Sequence, residues 1–291
     1  MGSRFKKFHQ KYPYLDIEET IVFFSIFDSY PLKHQLNLSN GLETAIQEEI
    51  VDKIDTLKGY FVYDEDSHRQ ELIEKILIRL SKGDRKSYSV YTKEHIPQGR
   101  GREIFKYLFE IGEIEKESSR EKPLRISKKQ PLKKALRRYK IQDKIHLKSN
   151  FTRFWFTFIA PNLHSGEKIV FEQIEQHLEK FISLEFEKLS NQLIAREYKN
   201  IHSQGSYWDK NIEIDLYIKT SNINIVGEAK WKNSKICKNV LNSLQNKCKV
   251  ANLDIDKFVL FSKSGFSKEL KAKKSPNIEL FELSDFENLL I

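Results

Sequence analysis

Apolar residues recur every three to four positions through the first sixty residues of the chain. The run IEETIVFFSIFDSY, which follows Asp16, and the run GLETAIQEEIVDKIDTL both show this spacing, which is typical of helices that bury one face. The pattern predicts a helical N-terminal region over residues 1–65. This region contains no motif that points to a chemical activity.

The sequence pattern of residues 66–150 predicts a second unit that is built on three short helices. The helices are expected in HRQELIEKILIRLSKGD, KSYSVYTKEH and REIFKYLFEIGEIEK, and the turn IPQGRG precedes the third. A basic extended segment follows, so the order is that of a winged helix-turn-helix. Arg100, Arg102 and Lys106 would lie at or near the start of the third helix, where a recognition helix meets DNA. Packing modules and protein–protein adaptors share the same three-helix pattern.

An aromatic helix and a linker are predicted for residues 151–180. Four rings recur at i, i+3, i+4 and i+7, namely Phe151, Phe154, Trp155 and Phe158. This spacing predicts a helix that is buried on one face. We interpret the rings as core between domains and not as a platform on which bases stack. Pro161 is expected to end the helix.

From about residue 166 onward, predicted helices and strands alternate. Helices are expected in FEQIEQHLEKFI, EFEKLSNQLIAREY and KNVLNSLQNKCKVA. Strands are expected in IEIDLYI, INIVGEAKW, KFVLFS and NIELFEL. This order predicts an α/β fold with a domain over residues 181–291.

Three charged residues on two consecutive predicted strands are candidates for chemistry. In IEIDLYI every second residue is apolar and faces one side of the strand, so Asp215 lies on the other side. On the next strand Glu228 and Lys230 are two residues apart and therefore share a face. Pairing of these strands would bring the three side chains together. Two carboxylates are suited to hold Mg²⁺ or Mn²⁺, with the backbone carbonyl of Ala229 as a further candidate ligand. Lys230 would orient the attacking water or stabilise developing negative charge.

The alternative is that these three residues are solvent-facing charges of an exposed sheet. Glu228 and Lys230 would then form an ordinary surface ion pair. An acid followed by Glu-x-Lys is common in a chain with 31% charged residues. The flanking helices and strands favour a site, because they place the trio inside an ordered domain.

Positive charge is concentrated in one part of the chain. The net charge is +9, and residues 120–148, with twelve basic and two acidic residues, carry +10 of it, which leaves −1 for the rest. Such a patch predicts a nucleic-acid partner, and we expect double-stranded DNA. The candidate phosphate contacts in this segment are Lys133, Lys134, Arg137 and Arg138. A solvated basic loop is the alternative interpretation.

Composition and cysteine usage narrow the class of protein. Apolar runs such as FWFTFIA are too short to cross a bilayer, so no membrane partner is expected. The N-terminal residues lack an apolar signal core, which favours the cytoplasm. Cys237 and Cys248 lack His or Cys partners at metal-ligand spacing and are interpreted as reduced thiols.

The motifs EIDLYI and GEAKW resemble those of the restriction-endonuclease-like, or PD-(D/E)XK, superfamily. The resemblance implies an αβββαβ domain with a mixed central sheet, in which Asp215 and Glu228 bind the metal and Lys230 assists catalysis. It also implies an acid from the preceding helix, for which Glu187 is the candidate and Glu185 the competitor. A residue of the following helix sometimes reaches the site, and here Gln245 or Lys247 could do so.

A narrower resemblance covers roughly residues 70–275. The segments RRYKIQDKIHLKSNFTRFWFTFIAPN, GSYWDKNIEIDLYI, GEAKWKN and FVLFSKSGF are similar to the C-terminal region of archaeal-type ATPases, known as the domain of unknown function 234. That family places a P-loop ATPase, a winged helix and a nuclease-like domain in series. The chain contains no Gly-Lys dipeptide, so a Walker A motif and its ATPase are absent from it.

Three hypotheses follow from these patterns. The first is a Mg²⁺- or Mn²⁺-dependent DNA endonuclease or nickase. The second is a nucleic-acid-binding or regulatory protein that keeps the nuclease fold as a non-catalytic scaffold. The third is an adaptor that docks on another protein, although no sequence feature selects a partner.

Overall fold

The helices and strands of the computed structural model divide between two units. The structure describes residues 3–83, 85–121, 127, 129–131, 134, 141–273 and 275–291. The first unit comprises Met1–Glu117 and Lys144–Ile182, and the second comprises Ser118–Asp143 and Ser183–Ile291. The chain is a mixed α/β protein with a helical N-terminal half and a C-terminal five-stranded sheet.

The N-terminal region is helical, as its apolar spacing predicted. It contains α1 (Arg4–Lys11), α2 (Ile17–Phe27), α3 (Leu42–Ile46) and α4 (Ile54–Lys58), with a π-helical turn at Gln47–Val51 and a 3₁₀ turn at Gly59–Phe61. Asp16 starts α2 because its carboxylate accepts a hydrogen bond from the Glu19 N–H at 2.8 Å. The Glu19 carboxylate accepts in return from the Asp16 N–H at 3.1 Å. This capping box pairs N–H groups that the helix itself leaves open.

Three further helices and a two-stranded ladder follow in the first unit. They are α5 (Ser67–Ser81), α6 (Ser87–Lys93), α7 (Gln98–Glu110), β1 (Ile114–Glu117) and β2 (Lys144–Leu147). The strands β1 and β2 are antiparallel, with Ile114 opposite Leu147. Helices α5 and α6 lie where their apolar spacing placed them. The third prediction was wrong in its bounds, because α7 begins at Gln98, inside the predicted turn IPQGRG, and ends at Glu110, so that Ile114–Lys116 belong to β1. The sequence between β1 and β2 belongs to the second unit.

The aromatic segment is buried, but its helix is not simple. It consists of α8 (Asn150–Phe154), a π-helical turn at Trp155–Ile159 and α9 (Ala160–Ser165). The rings of Phe154 and Trp155 are buried and pack on Phe181 and Phe61 of the same unit. They are core residues, as predicted, but these contacts lie within one unit and not between domains. The prediction that Pro161 ends the helix was wrong. Pro161 lies in the first turn of α9, where its missing N–H leaves no helical bond unmade.

The longest helix, α10 (Phe171–Glu197), joins two helices that the sequence pattern had separated. The predicted break was at Ser183 and Leu184. No Gly or Pro occurs between residues 171 and 197, and the buried positions continue across the gap through Ile182 and Phe186. Within the described ranges, no helix has the length and apolar character that crossing a bilayer requires.

The sheet of the second unit is mixed. Its strands are β3 (Ile201–Trp208), β4 (Glu213–Thr220), β5 (Asn224–Lys230), β6 (Lys257–Ser262) and β7 (Ile278–Glu282), in that spatial order. The β3–β4 and β4–β5 pairs are antiparallel, whereas β5–β6 and β6–β7 are parallel. Helix α11 (Lys238–Val250) connects β5 to β6, and α12 (Lys268–Ala272) lies between β6 and β7. Four strands were predicted, whereas β3 was not assigned to any segment.

Gly227 lets three strands approach closely beside the candidate residues. A Cβ atom at this position would lie 2.6 Å from Val259 Cγ2 and 3.3 Å from Leu216 Cβ. Gly227 pairs with Leu216 on β4 and with Val259 on β6. The central strand therefore has no room for a side chain at the residue before Glu228.

We expect Gly227→Ala to lower the free energy of unfolding by about 1–3 kcal/mol, because the added methyl group must displace packed neighbours. Urea or thermal unfolding would measure the change. Gly59→Ala is the matched control, since a Cβ there meets nothing within 4 Å. Equal unfolding midpoints for Gly227→Ala and wild type would contradict this account of the packing.

Candidate functional site

The candidate site lies where the β4–β5 ladder ends. The last pair along this direction is Leu216 with Gly227, and the next residues of the two strands are Asp215 and Glu228. The Ala229 N–H donates to Asp215 Oδ2 at 3.1 Å. A side-chain carboxylate thus replaces a backbone carbonyl as the partner of this N–H.

An irregularity on the other edge of β4 falls at the same place. Gly205 pairs with Tyr217, and Tyr207 pairs with Ile214, so three steps on β4 face two steps on β3. Such bulges re-aim side chains and are common beside active sites. Strict alternation predicted opposite faces for Ile214 and Tyr217, yet both belong to one buried cluster with Val226 and Leu244. The extra residue accounts for this correction.

The structure brings together the three residues that the sequence singled out. Lys230 Nζ donates to Glu228 Oε1 at 2.7 Å and lies 3.8 Å from Asp215 Oδ2. The side chains of Asp215 and Glu228 are only 14% and 10% exposed. The alternative of solvent-facing charges on an open sheet does not fit this burial.

Burial and charge perturb the pKa values of this trio. Burial, followed by the negative charge of Glu228, raises the pKa of Asp215 to about 6, against the opposing effects of Lys230 and the Ala229 N–H. Burial alone would lower the pKa of Lys230. The carboxylates of Asp215 and Glu228 outweigh it, so the pKa of Lys230 is raised and its ammonium stays charged at neutral pH.

A second lysine joins the site from α11. Lys247 Nζ donates to Glu228 Oε2 at 2.9 Å, so both carboxylate oxygens of Glu228 accept from an ammonium group. Of the two α11 residues that the family resemblance suggested, Lys247 makes this contact, while Gln245 is half-buried on the same helix.

Helix α10 contributes an acid and an amide. Glu187 is half-buried, and its charge helps to raise the pKa of Lys230. The competing acid Glu185 is buried, and its carboxylate faces Lys188 of its own helix at 3.4 Å. Glu187 is therefore the α10 acid whose charge acts on the trio.

Asn191 ties α10 to β4 directly behind Asp215. Its Nδ2 donates to the backbone oxygens of Glu187 at 3.0 Å and Asp215 at 3.2 Å. Sequence reasoning did not select Asn191. The signal was an amide one helical turn after Glu187, inside a helix, where Asn is not favoured by propensity.

The donor set fits a hard divalent cation. Asp215 and Glu228 supply carboxylate oxygens, which Mg²⁺ and Mn²⁺ prefer, and the ammonium of Lys230 already lies close to both. Within the part of the chain that the structure describes, no group of three or more His, Cys, Asp or Glu residues is arranged to hold a metal. A metal here would thus depend on two carboxylates, completed by water and a backbone oxygen such as that of Ala229.

The candidate nucleic-acid contacts divide between two places. Arg100, Arg102 and Lys106 are exposed on α7, where Lys106 forms a 3.7 Å ion pair with Glu110. Lys134 is exposed in the basic segment. The remaining predicted contacts of that segment lie outside the described residues: Lys133, Arg137 and Arg138.

Ser119 and Gln142, which flank most of the basic residues of the segment, are both hydrogen-bonded to Trp208 of β3. The Trp208 N–H donates to Ser119 Oγ at 2.9 Å, and Trp208 Nε1 donates to the Gln142 carbonyl at 2.9 Å. The Arg120 N–H donates to the Ser206 carbonyl at 3.2 Å. These contacts place Ser119, Arg120 and Gln142 on the sheet that carries Asp215.

Residues 155–244 match the family model of the domain of unknown function 234, which groups archaeal and bacterial proteins of unknown function. The matched range includes Asp215, Glu228 and Lys230. Over 174 residues the chain is 26% identical to the uncharacterized protein MJECL04 of Methanocaldococcus jannaschii. The aligned region covers 55% of this chain and 38% of that protein. The chain therefore spans less than two fifths of this relative. No solved structure matches it.

Asp215→Asn should stabilise the metal-free protein at neutral pH. Because the folded pKa of about 6 exceeds the ordinary 3.8, the folded chain keeps this proton to higher pH than the unfolded chain. The contribution of Asp215 to stability therefore falls as pH rises from about 4 to about 6. Asparagine lacks the charge and should raise the free energy of unfolding above this window by about 1–3 kcal/mol.

Urea unfolding in a chelator at about pH 4 and about pH 7.5 would measure this change, with the gain confined to the higher pH. The exposed Asp254→Asn is the matched control and should show no such gain. If Asp215→Asn and wild type have the same free energy of unfolding at both pH values, the raised pKa of Asp215 is contradicted.

Proposed function

We propose that this protein is a Mg²⁺- or Mn²⁺-dependent phosphodiesterase that cleaves or nicks double-stranded DNA. The observation that carries the proposal is the convergence of the largely buried side chains of Asp215, Glu228 and Lys230 at the end of the β4–β5 ladder. The element order from α10 through β3, β4, β5 and α11 to β6 is in keeping with a restriction-endonuclease-like domain. The α5–α6–α7–β1–β2 order is in keeping with a winged helix.

Each residue has a role in the proposed chemistry. Asp215 and Glu228, with the backbone oxygen of Ala229, would hold the metal. The metal, when bound, polarises the phosphoryl group and lowers the pKa of a bound water. Lys230 keeps its positive charge between two carboxylates and is placed to orient that water or to stabilise negative charge on the phosphate. Glu187 helps to keep the charge on Lys230.

Phosphate contacts would come from exposed basic residues. On α7 these are Arg100, Arg102 and Lys106, and in the basic segment they are Lys133, Lys134, Arg137 and Arg138. Such residues neutralise phosphates and release condensed counterions, which gives affinity without base specificity. The proposed partner is therefore duplex DNA bound through its backbone.

Supercoiled plasmid incubated with the purified protein and Mg²⁺ or Mn²⁺ should become nicked or linear. Asp215→Asn should reduce the rate by a factor of about 100 or more, because it removes a metal-binding charge. Glu213→Gln is the matched control, since Glu213 is an exposed acid on the same strand. Cleavage that survives Asp215→Asn would remove the assignment of the site.

The second candidate function is nucleic-acid binding without cleavage. One observation favours it: both carboxylate oxygens of Glu228 accept hydrogen bonds from lysines. A scaffold that no longer binds metal would be expected to neutralise its acids in this way. The plasmid experiment separates the two functions, since a scaffold would retard DNA without nicking it.

Charge reversal of Lys133, Lys134, Arg137 and Arg138 should weaken duplex binding similarly on unrelated sequences. Each lost phosphate contact should reduce the slope of log affinity against log salt by about 0.9. Fluorescence anisotropy over a salt series would measure both effects. The control reverses four exposed lysines of the first unit, Lys33, Lys58, Lys168 and Lys180. An equal loss of duplex affinity in the two proteins would indicate that affinity depends only on the net charge of the protein.

A further inference from the structure

Glu228 is held by two lysines that differ in how they are anchored. Lys230 lies two residues away on the same strand and is also 3.8 Å from Asp215. Lys247 comes from α11 and reaches Glu228 Oε2 at 2.9 Å. Its neighbours Leu244 and Cys248 are buried in the core of the second unit, so the helix itself is fixed. Lys247 can nevertheless release Glu228 through its flexible four-carbon stem, with no change in the backbone.

The net charge around Glu228 determines when the release of Lys247 is favourable. When ionised, Asp215, Glu228 and Glu187 together with Lys230 and Lys247 carry a net charge of −1. A divalent cation changes this to +1, and one phosphodiester then restores neutrality. Largely buried charges are costly when they are not balanced. A freed Lys247 ammonium beside a cation is therefore favourable only when an anion arrives with it.

We propose that Lys247 competes with the metal for Glu228 and, once released, binds a phosphate oxygen of the substrate. This inference rests on the proposed function, because it assumes that Glu228 is a metal ligand. It assigns Lys247 two partners in turn, the carboxylate in the free protein and the phosphate in the complex. Metal and DNA then strengthen each other's binding, since a coupling between two ligands is reciprocal.

The test measures Mn²⁺ affinity by calorimetry or electron paramagnetic resonance, with and without a short phosphorothioate DNA duplex. Wild type should bind Mn²⁺ more tightly when the duplex is present. Lys247→Met should bind Mn²⁺ alone about two- to fivefold more tightly than wild type, because the competing ion pair is gone. It should also lose most of the enhancement by the duplex.

Three further variants sharpen the experiment. Lys249→Met removes an exposed lysine of the same helix and should behave as wild type. Lys247→Arg keeps a cation at Glu228 and should retain the competition, while Lys247→Gln repeats the test with a polar side chain should the Met variant fold poorly. Circular dichroism would establish the fold of each protein.

Two results would overturn the inference, and they can be told apart. If wild type and Lys247→Met bind Mn²⁺ equally and gain equally from the duplex, Lys247 does not compete, although the metal site stands. If neither protein binds Mn²⁺, the result contradicts the metal site of the proposed function. It then also contradicts the role of Lys247, which depends on that site.

Discussion

The hydrogen bond from the Ala229 N–H to the Asp215 carboxylate organises the candidate site. A buried N–H must be paired, and at this point β4 supplies a side chain where its backbone would otherwise serve. Asp215 is therefore held against β5 one residue beyond the last pair of the ladder, with the Lys230 ammonium beside it. Burial raises the pKa of Asp215, although this hydrogen bond lowers it. The same residue is thus a structural link and a candidate metal ligand.

Much of this arrangement could be predicted from the sequence, because successive side chains of a β-strand point to opposite faces of the sheet. The pairing of two consecutive strands and the spacing of Glu228 and Lys230 predicted that the three side chains meet, although strict alternation in β4 assigned Ile214 and Tyr217 to the wrong faces. The edge strand β3 was missed because IHSQGSYW is polar, contains Gly205 and is only half-buried over most of its length. The extra residue on β4 was also invisible, since a bulge depends on the register of two strands and not on the composition of one.

Contacts that depend on helix packing were harder to foresee. The family resemblance offered Lys247 only as an alternative to Gln245, and nothing in the sequence selected Asn191. The docking of α11 and α10 shows that Lys247 and Asn191 reach the site. Burial also changes the meaning of the Glu228–Lys230 pair. A surface ion pair contributes little, whereas an acid that is 10% exposed and contacts two ammonium groups requires a balancing partner whenever one of them leaves.

The way that Trp208 secures the basic segment bears on how such a protein can evolve. Ser119 and Gln142 both bond to this one residue, so the ends of the intervening sequence are held together by the sheet itself. Closing a longer loop costs only about 0.6 kcal/mol for each doubling of its length. The two anchors are therefore independent of the length of the sequence that joins them. A lineage of such proteins could vary that sequence and still inherit the strand that holds Ser119 and Gln142.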